Sequence, residues 1–387
     1  LQAVRDDADW ELIRRTDGKI AKTIKARDLW EQIGHAAWAC ADPGIQFHDT
    51  VNAWHTCPAD GEIRGSNPCS EYMSLDNSSC NLASLNLMKF LTQDGVFDNR
   101  AFAAAVEVVI TAMEISISFA DFPTESIAKT TRDFRQLGIG YANLGALLMH
   151  QGVPYDSEQG RALAAAITSL MTGVAYRRSA EIAEVTGPYK GYKNNSEHHK
   201  AVMEKHARFA ENLVRATAGE ATFVDANVVG AYKPAHFIAE EALRHWQEGN
   251  AIGNKKGWRN SQASVLAPTG TIGFMMDCDT TGIEPDFSLV KFKKLVGGGS
   301  MQVVNQQVPP ALTNLGYDGQ QISNIVGHIA VSILIEKGGN QLSAHAALLT
   351  ALLGAAVEQA HQISHAQTTL FFRFTECAHH QGGQSSQ

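Results

Sequence analysis

Asn67-Pro68-Cys69-Ser70-Glu71 places an amide, a thiol and a carboxyl group within five residues, and a second thiol, Cys80, follows the turn-forming run Asp76-Asn77-Ser78-Ser79. Pro68 disfavours helical backbone at Asn67, so the start of this motif is expected to be extended. In extended chain, residues two apart point the same way, which would aim Asn67, Cys69 and Glu71 at one point in space. A lone cysteine in a chain of this length reads as a small buried hydrophobe. The flanking amide, the carboxyl and the second thiol favour chemistry instead.

The chain has 387 residues, 44% hydrophobic and 19% charged, which is ordinary for a globular protein with a large core. A net charge of -8 leaves no basic footprint for nucleic acid, although a local site can still bind a free nucleotide. No uninterrupted apolar run approaches the roughly 20 residues of a membrane span, and no membrane partner is expected. The first residues, Leu1 to Asp7, carry no signal-peptide pattern and no initiator Met, so the chain reads as a fragment or a processed product. The six cysteines, at 40, 57, 69, 80, 278 and 377, show no close-paired metal spacing. Sparse cysteine points to a reducing cytoplasm.

The segment Ser264 to Phe274 reads as a short apolar strand, a small polar loop at Pro268-Thr269-Gly270-Thr271 and an apolar continuation. Backbone N–H groups in such turns, with two threonine hydroxyls, suit a phosphate. Asp277, Asp279 and Glu284 could be imagined as metal ligands, but their spacing fits no calcium loop, so capping and turn roles are expected and no metal site. Gly138, Gly140 and Gly145 superficially suggest a dinucleotide fingerprint. Their order is wrong for one, and close packing explains them better.

Helices are expected over 24–40, 99–120 (before Pro123), 157–186 (closed by Gly187-Pro188) and about 200–217. The run 81–87 could be a strand or the start of a helix. The stretch from Asn194 to Lys200, with adjacent His198 and His199, is expected to be a solvated linker. From about 343 the chain is Ala- and Leu-rich, and its Gly-, Gln-, Ser- and His-rich end, with Cys377, His379 and His380, reads as a disordered tail.

Taken together, several separated segments resemble the adenosylcobalamin-dependent (class II) ribonucleotide reductases. They are Asp42-Pro43-Gly44, Trp54 to Pro58, Ser66 to Tyr72, Ser79 to Leu87, Ala267 to Gly273 and Thr281 to Pro285, and the likeness runs from near residue 1 to about 325. The resemblance implies an α/β fold, an incomplete ten-stranded α/β barrel with the cysteine on a central finger loop. Residues 1–325 would be part of the catalytic barrel domain and 326–387 a divergent helix and tail.

It implies that Cys69 becomes a thiyl radical after homolysis of the cobalt–carbon bond of adenosylcobalamin, and then abstracts the ribose 3′ hydrogen. Glu71 would take the 3′-hydroxyl proton and Asn67 would orient the substrate. Cys80 would be one of two reducing thiols, its partner lying upstream in a segment this chain lacks. Ser66, Asn67, Pro68, Cys69, Ser70 and Glu71 would line the substrate, with Pro268, Thr269, Gly270, Thr271 and Ile272 around its phosphates. The implied partners are a ribonucleotide, deoxynucleotide or ATP effectors and a thioredoxin-like reductant, with a homodimer as one open arrangement. Two alternatives stand beside this: a class I reductase large subunit, although no Tyr-Tyr pair occurs, and an inactive truncated remnant that binds only nucleotide or a partner.

Overall fold

A computed structural model of the protein describes residues 1–40, 45–220, 231–286, 288–294 and 297–335. Asp42-Pro43-Gly44 and the expected tail, with the Ala-rich stretch from 343, lie outside the described residues. The chain divides into two compact units, 1–47 and 48 onward.

In the first unit, α1 (Gln2–Arg5) leads into an antiparallel hairpin of β1 (Asp9–Ile13) and β2 (Ile20–Lys25), followed by α2 (Ala26–Cys40). The expected helix start at Ile24 is corrected: Ile24 and Lys25 pair with Trp10 and Asp9, and the Lys25 ammonium lies 2.7 Å from the Asp9 carboxylate. Cross-strand pairing holds these two residues in the sheet, so the helix begins at Ala26.

The second unit contains α3 (His48–Ala53), β3 (Leu82–Asn86), α4 (Asn99–Phe119), α5 (Glu125–Phe134), β4 (Gly138–Ala142), α6 (Leu144–His150), α7 (Glu158–Thr186) and α8 (Tyr192–Thr217). It continues with α9 (Lys233–Lys256), α10 (Gly270–Met275), β5 (Val290–Lys294), β6 (Ser300–Val304), α11 (Val308–Asn314) and α12 (Gly319–Ile335). The expected boundary at 325 falls within α12.

The two long early helices follow their sequence signals. Asp98 caps α4 by accepting from the Arg100 and Ala101 amides at 3.1 and 2.9 Å. Ser157 caps α7 by accepting from Gly160 N at 2.9 Å, and Gly187, at φ 84°, closes it. The expected linker at 194–200 is instead the first turns of α8. Tyr192, Asn195, His199 and Val202 recur at helical spacing and are all buried. His199 accepts or shares a hydrogen bond with Tyr189 OH at 3.2 Å and stacks on Trp258, 4.7 Å between ring centroids. Burial holds its imidazole down to about 3, so the ring is neutral and part of the core.

The described strands form three two-stranded sheets, and among the described residues no closed barrel is formed. The central pair is parallel: β3 and β4 run in register from Leu82↔Gly138 to Asn86↔Ala142. Their connection runs through α4 and α5, as parallel pairing requires a crossover. A segment at 262–265 runs beside β4 on its other side, joined to it by an isolated parallel bridge of Ser264 to Ile139. Leu137 N donates to Gln262 O at 2.9 Å, Ile139 N to Ala263 O at 3.0 Å and Val265 N to Ile139 O at 3.0 Å. All five residues of β4 are buried, as expected for the middle of a covered parallel sheet.

One face of this sheet packs on α7, through Tyr141 OH with Thr168 Oγ1 at 2.7 Å and Ser264 Oγ with Thr172 Oγ1 at 3.0 Å. The other face carries Leu82, Ser84, Gly138 and Gly140. Here the glycines are needed for close approach. A Cβ at Gly138 would stand 2.5 Å from the Leu82 side chain, and one at Gly140 would stand 2.7 Å from the Val265 carbonyl. This agrees with the packing explanation and leaves no dinucleotide fingerprint. Gly140→Ala is expected to push β4 from the 262–265 segment and lower stability by about 1–3 kcal/mol. Equilibrium denaturation measures this, and an unchanged midpoint would show that the sheet absorbs the methyl group.

Candidate active site

The Asn67–Glu71 motif sits at the tip of a hairpin rather than in an extended run. Ser66 bridges Met73 in antiparallel fashion, and Asn67 N donates to Tyr72 O at 3.3 Å. Between them Ser70 N donates to Asn67 O at 3.1 Å, closing a four-residue turn, and Ser70 takes left-handed backbone at φ 64°. The expected i, i+2 alternation of Asn67, Cys69 and Glu71 is therefore corrected. Pro68 does keep Asn67 out of helix, but its fixed φ also suits the second position of a tight turn, and that preference wins. Cys69 follows as the third turn residue and is exposed.

Asn67 is committed on one side only. Its Oδ1 accepts from Tyr72 N at 2.9 Å, while Nδ2 has no hydrogen-bond partner among the described residues. The base of the hairpin is anchored by Gln262 Nε2, which donates to Met73 O. Tyr72 is buried, and its hydroxyl donates to Ser79 O at 3.0 Å and meets Ser78 Oγ at 3.3 Å. It thus ties the Cys69 turn to the segment that ends in Cys80.

Cys80 is clamped by its neighbours. Ser79 N donates to Thr131 Oγ1 on α5 at 3.0 Å. Asn81 Nδ2 donates to Met113 O and Ser116 Oγ on α4 at 3.0 and 3.1 Å. Cys80 itself is exposed, yet its thiol is pushed up to about 11, first by partial desolvation and then by the Glu71 carboxylate. Glu71 is half-buried, and its Oε2 is buried without a hydrogen-bond partner among the described residues. The structure thus brings the motif carboxyl and the second thiol into one microenvironment.

Iodoacetamide labelling tests this directly. With a thiol near 11, on the order of one Cys80 in a thousand is thiolate at pH 8. Labelling of Cys80, followed by mass spectrometry, is expected to keep rising through pH 10, where an ordinary thiol of pKa ~8.5 has levelled off. Glu71→Gln should move the rise to lower pH. A plateau near pH 9 in both proteins would show that Glu71 does not act on this sulfur.

The segment 264–272 also lies at this sheet. After the bridge of Ser264 to Ile139, the loop turns through Thr269, left-handed at φ 52°, into α10. Thr269 is buried, its hydroxyl lying 2.8 Å from Ser84 Oγ and 3.3 Å from Ala267 O, so this hydroxyl is engaged inside the fold. Gly270, Thr271 and Ile272 are exposed, and the first-turn amides of a helix have no partner within it. Glu284 accepts from Thr281 Oγ1 at 2.6 Å, the expected turn role, whereas Asp279 accepts from Gln306 N at 2.8 Å and Gln307 Nε2 at 3.0 Å and so tethers a segment distant in the chain. Among the described residues no group of three or more His, Cys, Asp and Glu side chains could hold a metal ion, and no helix is long and apolar enough to cross a membrane.

Sequence reasoning missed the roles of Ser84 and Gln262, because each is tied to the site by a partner distant in the chain, Thr269 and Met73. Cys57 belongs elsewhere. It is 1% exposed, donates to Tyr189 OH at 3.4 Å, and burial pushes its thiol up, which marks an inert core cysteine.

A turn-borne thiol, a carboxyl acting on a second thiol and an exposed loop that opens a short helix thus lie in segments joined to one parallel sheet. The family model for the ribonucleotide reductase barrel domain matches residues 7–371, and the chain belongs to that family. It is 59% identical over 334 residues to the vitamin B12-dependent ribonucleotide reductase of Streptomyces coelicolor, covering 85% of this chain and 33% of that protein. It is 49% identical over 338 residues to the protein of the same name from Bradyrhizobium diazoefficiens, covering 86% of this chain and 27% of the relative. A more distant relative, the vitamin B12-dependent ribonucleoside-diphosphate reductase of Thermoplasma acidophilum, is 26% identical over 319 residues, covering 82% of this chain and 34% of its own length. The chain spans about a quarter to a third of the length of these curated relatives.

Proposed function

We propose that the protein carrying this chain reduces ribonucleotides to 2′-deoxyribonucleotides by cysteine radical chemistry. The observation that carries the reading is the Glu71 carboxyl, with one buried oxygen unpartnered, placed against Cys80 and one residue beyond the turn that exposes Cys69. The names of the three relatives favour cobalamin dependence over the class I alternative.

Each residue has a definite task. Cys69, at an open turn, takes the ribose 3′ hydrogen as a sulfur radical. Glu71 accepts the 3′-hydroxyl proton, since its free oxygen is a base with no competing donor. Asn67, fixed through Oδ1, presents Nδ2 to a sugar hydroxyl. The first-turn amides at 270–272 and the Thr271 hydroxyl hold the phosphates. Cys80 stays protonated near neutrality and supplies hydrogen. Together with a second thiol it gives up two electrons and closes a disulfide, while the 2′ hydroxyl leaves as water.

Adenosylcobalamin is the cofactor of this reading, and the exposed sulfur of Cys69 suits it, because a large group can approach the turn from outside. When bound, it supplies the hydrogen-atom abstraction that oxidises Cys69. We assign the hairpin 66–73 as the finger loop of a ten-stranded barrel of which β3, β4 and the bridged segment 262–265 form part. Residues 1–325 are assigned to that domain and 326–387 to a divergent extension. Deoxynucleotide or ATP effectors, a thioredoxin-like reductant and a homodimer complete the proposal, in a reducing cytoplasm that suits the free thiols at 57, 69, 80 and 278.

Cys80→Ser tests the redox role. With a protein dithiol as sole reductant, the variant is expected to form at most one deoxyribonucleotide per site. Sustained turnover would remove Cys80 from the thiol pair.

A further inference from the structure

The backbone on both sides of Cys80 is fixed. Ser79 N donates to Thr131 Oγ1 at 3.0 Å, and Ser79 Oγ accepts from the same hydroxyl at 3.1 Å. Thr131 lies on α5 and is buried. Beyond the thiol, Asn81 Nδ2 reaches Met113 O and Ser116 Oγ on α4, and Asn81 O accepts from Gly138 N at 2.9 Å.

Glu71 has no comparable hold of its own. Its Oε2 is buried without a hydrogen-bond partner among the described residues, and the residue before it, Ser70, is left-handed at φ 64°. The residue after it supplies the hold. Tyr72 is buried, and its hydroxyl donates to Ser79 O at 3.0 Å and meets Ser78 Oγ at 3.3 Å. The carboxylate and the second thiol thus each stand one residue from opposite ends of one buried hydrogen bond. Burial pushes the Tyr72 phenol up, and the Cys80 sulfur adds to this, so the hydroxyl stays protonated as a donor and lies within electrostatic reach of the thiol. Glu71 acts on the same thiol. Among the described residues, Glu71 and Tyr72 are the titratable groups found to act on Cys80.

We propose that Tyr72 is a positioning residue: its hydroxyl ties the hairpin to Ser79 and so holds the Glu71 carboxylate against the Cys80 thiol. A charge acts on a neighbour in inverse proportion to distance, so loosening this tie weakens the action of Glu71 on the sulfur. The consequence for turnover rests on the ribonucleotide reductase reading above. A base and a hydrogen donor serve one sugar only while their spacing is kept, and a misplacement of about 1 Å can cost on the order of 100-fold in rate.

The test uses the protein carrying this chain, its Tyr72→Phe and Glu71→Gln variants, and the double variant. Tyr72→Phe keeps the buried ring and removes only the hydroxyl. Iodoacetamide labelling of Cys80 is followed by mass spectrometry against pH, below the unfolding temperature of each protein and without nucleotide or cofactor. The midpoint of the rise reports how tightly the thiol holds its proton, and the plateau rate reports access to the sulfur. Tyr72→Phe is expected to move the midpoint to lower pH, as Glu71→Gln does, with about threefold or more labelling at pH 8. The double variant should match Glu71→Gln within about twofold, because the tie acts only through the carboxylate. In a parallel assay with adenosylcobalamin and dithiothreitol, Tyr72→Phe should lower kcat about tenfold and leave cytidine diphosphate affinity within about twofold.

An unchanged midpoint in Tyr72→Phe would overturn the proposal, and a lower unfolding temperature alongside it would mark Tyr72 as core packing alone. Shifts that add in the double variant would also overturn it, since Tyr72 would then act on the sulfur without Glu71. A shifted midpoint with unchanged kcat would overturn the positioning role in turnover. Unmodified protein that forms no product would refute the reductase reading, while the labelling series would still decide whether Tyr72 holds Glu71 against Cys80.

Discussion

Cys69→Ser in the protein carrying this chain is expected to lower deoxyribonucleotide formation by ~10⁴-fold or more, the scale reached when the atom that performs a covalent step is removed. The argument is one of bond strength and place. A thiol has a weak S–H bond and exchanges hydrogen atoms readily, whereas a serine hydroxyl holds its hydrogen too strongly to carry the radical. The substitution changes little else. Cys69 is exposed at the third position of a turn whose closure depends on Ser70 N and Asn67 O, and the hairpin is anchored through Met73 and Tyr72. Nucleotide affinity should therefore stay within about twofold, as a hydroxyl for a thiol at an exposed site disturbs no core packing. Product assays with parallel binding isotherms check both halves. Appreciable turnover by the serine variant would end the radical assignment.

Glu114→Ala is expected to cost about 3–5 kcal/mol of stability, because it strands buried cations. Glu114 lies on α4 and is 5% exposed. Its Oε1 accepts from Arg135 Nε at 2.6 Å and from Arg259 Nε at 2.7 Å, and its Oε2 accepts from Asn260 Nδ2 at 2.7 Å. Arg135, left-handed at φ 52°, ends α5 and also donates to Glu114 O at 3.0 Å. Asn260 donates to Arg135 O at 2.9 Å. One carboxylate thus pins the entries to β4 and to the 262–265 segment, which carries Gln262. Removing it leaves two guanidinium groups facing each other. Urea denaturation should show the loss, and a change under about 1 kcal/mol would mean that water reaches the arginines. Glu114→Gln, which keeps shape and part of the hydrogen bonding, should lose less.

The chemistry of the site was more legible than its geometry. Residue types within Asn67–Glu71 pointed to thiol and carboxyl chemistry without any fold. The same five residues were misjudged locally, because Pro68 satisfies both an extended Asn67 and a tight turn, and only the pairing of Ser66 with Met73 decides between them. Helices α4 and α7 were readable from their apolar patterning and from Pro123 and Gly187-Pro188 beyond their ends. Helix α8 was hidden because its buried face is written with Tyr192, Asn195 and His199, which resemble a solvated stretch until Trp258 and Tyr189 cover them. Gly138 and Gly140 were read correctly as packing positions. The approach of Glu71 to Cys80 arises from turns, and the meeting of β3 with β4 from parallel pairing between segments far apart in the chain. No local periodicity encodes such contacts.

The most direct test of the central claim is product formation from a ribonucleotide mixture by the protein carrying this chain, with dithiothreitol, in the presence and absence of adenosylcobalamin. The account predicts 2′-deoxyribonucleotides only when the cobalamin is present. Product formed equally without cobalamin would contradict it, and so would the absence of product from protein shown to bind both nucleotide and cobalamin.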